Sequence, residues 1–177
     1  MPPSAPRRSQ QQVNEDFLRV MMELRLVLRT EDIPEKLLVL MVGYKNTAST
    51  GYLKAKSHHR KANRIQVSKG IVRLTEAGIE AGPDVDPPRD NREIQARIKE
   101  LVKQKKGVPS DKLDIVFDIL LDGQMHSKAE LLEAAHYKHP SSTGFLKIMS
   151  AMKELGLTEG DSKSVKFTKI VFPFADP

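Results

Sequence analysis

The chain repeats itself. Tyr44-Lys-Asn-Thr-Ala-Ser-Thr-Gly51-Tyr52-Leu53-Lys54 recurs 93 residues later as Tyr137-Lys-His-Pro-Ser-Ser-Thr-Gly144-Phe145-Leu146-Lys147. Held without a gap from 44 to 75, the offset gives 10 identities in 32 positions, among them Ser57 with Ser150, Val72 with Val165 and Thr75 with Thr168. A repeat limits the fold more than composition does, because each copy must be a supersecondary unit that can occur twice. In 177 residues it predicts two copies of one unit of about 70 residues each.

Hydrophobic spacing places the same elements in both copies. Residues 13–29 carry Phe17, Val20, Met21, Leu24, Val27 and Leu28 at helical spacing, matched by Leu113, Val116, Phe117, Leu120 and Leu121. A short second helix is expected at 34–42, where Pro34 suits a first turn. Its partner at 127–136 opens on Ser127-Lys-Ala-Glu130, the pattern of a capping box. A third helix follows at 49–62 and at 142–155, started by Ser-Thr in each copy. Asn63 and Gly156 follow it, residues that tolerate the left-handed conformation of a helix end. Ile65-Gln-Val67 and Ile71-Val-Arg-Leu74 flank Ser68-Lys69-Gly70 as a two-stranded hairpin, and 157–172 repeats the pattern around a polar turn.

Helix, helix, helix, hairpin is an order with a known likeness. Gly43-Tyr44, Ser49-Thr50-Gly51-Tyr52, Ile65 and Val72-Arg73-Leu74-Thr75-Glu76-Ala77-Gly78, with His136-Tyr137, Ser142-Thr143-Gly144-Phe145 and Leu155-Gly156-Leu157 in the second copy, resemble the winged-helix (winged helix-turn-helix) superfamily. The resemblance covers residues 13–80 and 109–172. It implies an α+β, mainly helical fold of two tandem winged-helix units, three helices and a β-hairpin wing each, joined by a linker helix. The expected division is a disordered tail at 1–11, a basic repeat at 12–82, a linker at 83–107 and a second repeat at 108–174; 173–177 reads as a second tail. In the superfamily the third helix commonly enters the major groove and the wing touches backbone or minor groove, while other members bind proteins.

Charge separates the copies. The chain has 29 Lys/Arg against 23 Asp/Glu, a formal +6. Residues 1–82 hold 14 against 8, residues 83–107 hold 7 against 5, and residues 108–177 hold 8 against 10. Between Glu35 and Glu76 there is no acidic residue, while nine Lys/Arg fall there together with His58 and His59. A single-sign stretch of that length points to a polyanion. On a recognition helix with flanking cations the DNA-contacting residues are expected to be Lys45, Ser49, Thr50, Lys54, Ser57, His58, Lys61 and Arg64, with Lys69 and Arg73 on the wing. The same register turns Lys56 and His59 inward, so either Lys56 extends to the rim of the core or the third helix is rotated or shorter than 49–62.

In the second copy Phe145, Ile148, Met149, Met152 and Leu155 face inward, and Leu146, Lys147, Ser150 and Ala151 face outward. That face is short of cations and suits a protein partner or self-association better than a phosphate backbone; a repeat kept for packing alone is the other reading. Between the copies, Ile94, Ile98, Leu101 and Val102 form the apolar stripe of a basic amphipathic helix, which either packs on a repeat or self-associates.

The expected function is therefore binding of double-stranded DNA, of transcription-regulator type, through repeat 1; the alternative is a protein-interaction module acting through repeat 2. With no Cys there is no disulfide framework, Cys-ligated zinc or thiol chemistry. No nucleotide-binding glycine loop, nucleophile elbow or His-Glu-x-x-His motif occurs, so neither enzyme activity nor a cofactor or metal is expected. His136 and His139 read as a surface pair, and Asp114, Asp118 and Asp122 as a solvated stripe. No apolar run approaches the roughly 18 residues of a membrane span, and the start has no apolar core of a secretory signal. An intracellular location follows as the expectation, nuclear in a eukaryote.

Overall fold

In the computed structural model, which describes residues 8–44, 46–87, 89–172 and 174, helix α1 (Gln10–Leu28) begins two residues inside the expected tail. Ser9 caps it: its hydroxyl accepts from the Gln12 N–H, and the Gln12 side chain accepts in return from the Ser9 N–H. Residues 1–7 of that tail, and 173 and 175–177 of the other, lie outside the described residues. The chain divides into two units, Met1–Pro87 and Pro88–Pro177.

In the first unit α1 buries Val13, Phe17, Val20, Met21, Leu24 and Val27, the i, i+3/i+4 set of an amphipathic helix. There follow β1 (Ile33–Pro34), α2 (Glu35–Met41), α3 (Thr50–Lys61), β2 (Ile65–Ser68), β3 (Ile71–Leu74) and α4 (Glu76–Ala81). The hairpin gains a third strand that sequence did not indicate: β1 pairs antiparallel with β3, Ile33 opposite Val72, in the order β1-β3-β2. Pro34 is tolerated because β1 is an edge strand. Lys69 (φ 47) and Gly70 (φ 77) turn the hairpin in two residues of positive φ, as a tight right-twisting turn requires.

The second unit begins with the expected linker helix, α5 (Asn91–Lys103). Ile94, Ile98 and Val102 are at most 2% exposed, and α5 packs against α6 (Ser110–Leu120) and α8 (Thr143–Glu154). The stripe is thus a core element, as the first of its two expected readings has it, and these residues are not open for self-association. The basic side of α5 meets the acidic stripe of α6: Lys99 lies 2.6 Å from Asp118, and Lys103 lies 3.0 Å from Asp114. The remaining elements are β4 (His126–Ser127), α7 (Lys128–Ala134), α8 (Thr143–Glu154), β5 (Thr158–Gly160), β6 (Ser164–Phe167) and a 3₁₀ turn at Lys169–Val171. The sheet order is β4-β6-β5.

The offset of 93 holds for structure as well: β1, α2, α3, β2 and β3 each start 93 residues before β4, α7, α8, β5 and β6. The repeated residues explain why. Tyr44 lies against Gly51, and Tyr137 against Gly144, where a Cβ would collide with the tyrosine hydroxyl. Each tyrosine also meets the aromatic residue that follows its glycine, Tyr52 at 6.4 Å and Phe145 at 6.0 Å. The hydroxyl of Thr75 donates to the Asn63 carbonyl at 2.6 Å, and that of Thr168 to the Gly156 carbonyl at 2.8 Å. Asn63 and Gly156 both take positive φ, 56° and 70°, as their identity predicted. The expected capping box of α7 is half formed: Ser127 caps the Glu130 N–H, but the Glu130 carboxylate turns to His126 Nδ1 at 3.3 Å.

Candidate nucleic-acid interface

Helix α3 is fixed by one face and leaves the other free. Tyr52, Ala55 and His59 are buried against α1, with the rings of Tyr52 and His59 at 5.5 Å and 5.2 Å from Phe17. His59 Nε2 donates to the Asn14 carbonyl at 2.8 Å, which fixes its tautomer, and its Nδ1 has no partner among the described residues. Burial pushes the His59 pKa down from its ordinary value. The cleft of about 800 Å³ beside it is lined by Glu15, Asp16, Arg19, His58 and Arg64 among others. Two of its charged wall residues pair with each other, Asp16 with Arg19 at 3.1 Å, and Asp16 also meets Arg8 at 2.9 Å.

On the opposite side, Thr50, Lys54, Ser57, His58 and Lys61 are all exposed. At 100° per residue Thr50, Lys54, Ser57 and Lys61 fall within about 60° of one another, one stripe along the helix. Arg60 and Leu53, both exposed, flank it; Arg60 belonged to the basic run but not to the expected contact set. Ser49 takes the N-cap position without a side-chain cap hydrogen bond. Arg64 is half-buried just past the helix, its carbonyl held by the Thr75 N–H at 3.0 Å. Lys69 stands exposed at the tip of the hairpin. Lys45 lies outside the described residues.

Among the described residues, two of the cations between Glu35 and Glu76 are engaged by carboxylates. Arg73 is paired with Asp32, which holds that carboxyl below the usual range, and Glu31 also acts on it. Lys56 reaches Glu35 at 2.6 Å, with the Tyr52 hydroxyl donating to the same carboxylate oxygen at 3.2 Å. Lys56 therefore ends in a shielded ion pair rather than at an open rim. The stretch is free of acid in sequence, but β1 carries acidic neighbours back to it.

In the second unit Leu146, Lys147 and Ser150 are exposed as expected, whereas Ala151 is buried, which corrects its assignment to a partner-binding face. Lys147 lies over Gly107, and Glu154 pairs with Lys105 at 3.0 Å. The segment after α5 thus passes beside Lys147 and Glu154. Met149 is only half-buried, beside Leu146.

Comparison of the chain with protein-family models, curated proteins and solved structures finds no match. Among the described residues no group of three His, Cys, Asp or Glu could hold a metal ion, and no helix is long and apolar enough to cross a membrane.

Proposed function

We propose that this is a tandem winged-helix protein of transcription-regulator type that binds double-stranded DNA with the outward face of α3 and the β2–β3 hairpin. The observation that carries it is the α3 stripe of Thr50, Lys54, Ser57 and Lys61 with His58 beside it, exposed over a rigid, buried opposite face. Hydroxyls and ammonium groups on a helix can reach base edges and phosphates together. Arg60, Arg64 and Lys69 supply flanking cations, while Arg73 is engaged with Asp32. The rival, a protein-interaction module acting through repeat 2, loses two supports: Ala151 is buried, and with α5 included residues 88–177 carry 15 Lys/Arg against 13 Asp/Glu, no longer an acidic unit.

The test is binding of the full chain to a mixed-sequence duplex across a salt series. With four or five phosphates neutralised, log K against log salt falls with a slope of about −4. Lys54→Ala with Lys61→Ala flattens that slope by about two. Absent or salt-insensitive binding refutes the proposal.

A further inference from the structure

In a duplicated unit, packing restrains buried positions most strongly, so they are where two copies of one fold should agree. Helices α3 and α8 do the reverse. The three positions buried in both differ every time: Tyr52 against Phe145, Ala55 against Ile148, His59 against Met152. Of the six positions exposed in both, four are identical: Thr50 and Thr143, Leu53 and Leu146, Lys54 and Lys147, Ser57 and Ser150. A fifth keeps its charge, Arg60 against Lys153; the sixth exchanges Lys61 for Glu154. Folding does not require agreement on a solvated face. A shared ligand does.

The leucine narrows the ligand. Among the described residues four large hydrophobic side chains are exposed, and two of them, Leu53 at 41% and Leu146 at 51%, occupy the same repeat position. The side chain borders the stripe of hydroxyls and ammonium groups on the same helix. In the major groove that combination has matching chemistry: an apolar group meets the thymine methyl, an ammonium meets guanine O6 and N7 or a phosphate, and hydroxyls meet either base edges or phosphates. The one acidic residue on the α8 face, Glu154, is engaged with Lys105 at 3.0 Å and with Ser150 at 3.4 Å.

We infer that α8 is a second DNA-contacting helix, and that the chain recognises two copies of one short base sequence, one with each unit. This deepens the proposal above and holds only if α3 binds duplex DNA. Glu154 in place of Lys61 makes α8 the weaker site, so α3 anchors and α8 adds affinity through the effective concentration of a tethered second site.

Selection of bound sequences from a random duplex pool by the full chain tests it, followed by affinity measurements on duplexes with one and two copies of the selected motif. The motif should appear twice per bound duplex. Leu146→Ala with Lys147→Ala should weaken binding to the two-copy duplex about a hundredfold, to the level of the one-copy duplex. Both side chains are exposed, with Lys147 lying over Gly107, so the unfolding midpoint is measured alongside and separates lost contact from lost fold. A motif present once, with the Leu146/Lys147 variant binding as the wild type does while Leu53→Ala with Lys54→Ala abolishes binding, overturns the second site and leaves the first. Loss of a stoichiometric protein partner by the Leu146/Lys147 variant, with DNA affinity intact, also overturns it. No salt-dependent binding by the wild type removes both proposals.

Discussion

Lys56→Met puts into α3 the residue that α8 carries at the equivalent position, Met149, and should nonetheless destabilise the first unit. In the second unit the residue equivalent to Glu35 is Lys128, so the carboxylate that Lys56 meets has no counterpart at that repeat position. In the first, Glu35 has a side chain only 11% exposed and is left with the Tyr52 hydroxyl at 3.2 Å as its remaining partner. Breaking a buried ion pair from one side costs about 3–5 kcal/mol. The retained hydrogen bond and partial exposure bring the expectation to about 2–3 kcal/mol, or about 10–20 °C in midpoint for a unit of this size. Urea unfolding of the full chain followed by circular dichroism measures it, with hydrogen exchange of the α3 amides assigning the loss to the first unit. The control replaces the cluster as a whole: Glu35→Leu and Tyr52→Phe added to Lys56→Met should recover most of the loss, because an apolar trio needs no counter-charge. A Lys56→Met protein as stable as the wild type, or a triple variant no better than the single, would show that Glu35 does not depend on Lys56.

Acid and base should act on the two units in opposite senses. His59 is held below the ordinary histidine value of 6.5 by burial, so the unfolded chain takes up a proton before the folded one does. First-unit stability should be level above about pH 6.5 and fall below it, and His59→Met, the residue at the α8 equivalent, should flatten that fall in hydrogen exchange measured against pH. His126 is held above 6.5, first by its contact with Asp122 at 2.9 Å and also by Glu130. Its contribution to the second unit should be complete below pH 6.5 and disappear as the pH rises through the folded value, a loss that His126→Gln abolishes in the same measurement. Asp32→Ala should free Arg73 and remove a carboxylate beside the hairpin, tightening duplex binding about threefold at low salt; unchanged or weaker binding by titration would take Arg73 out of the interface.

Sequence alone determined the duplication, the helix order, the third-helix boundaries and the outward stripe of α3, because these rest on local periodicity and on glycine and cap chemistry read within a few residues. Tyr44 with Gly51 and Thr75 with Asn63 were visible only as recurring letters; their contacts explain why the letters recur. Strands β1 and β4 were not legible, since two residues are too short to show alternation and exist only through pairing with β3 and β6. Helix α4 is not anticipated from the sequence pattern, although Thr75 caps it at the Gly78 N–H. The partners of charges were decided by tertiary structure alone: Glu35 with Lys56, Asp32 with Arg73, and the α5 lysines with the α6 aspartates. Charge acts through space over a few ångströms, and folding brings residues 11 to 41 apart within that range. A count along the chain therefore located the basic surface but could not say which of its cations remain free to bind.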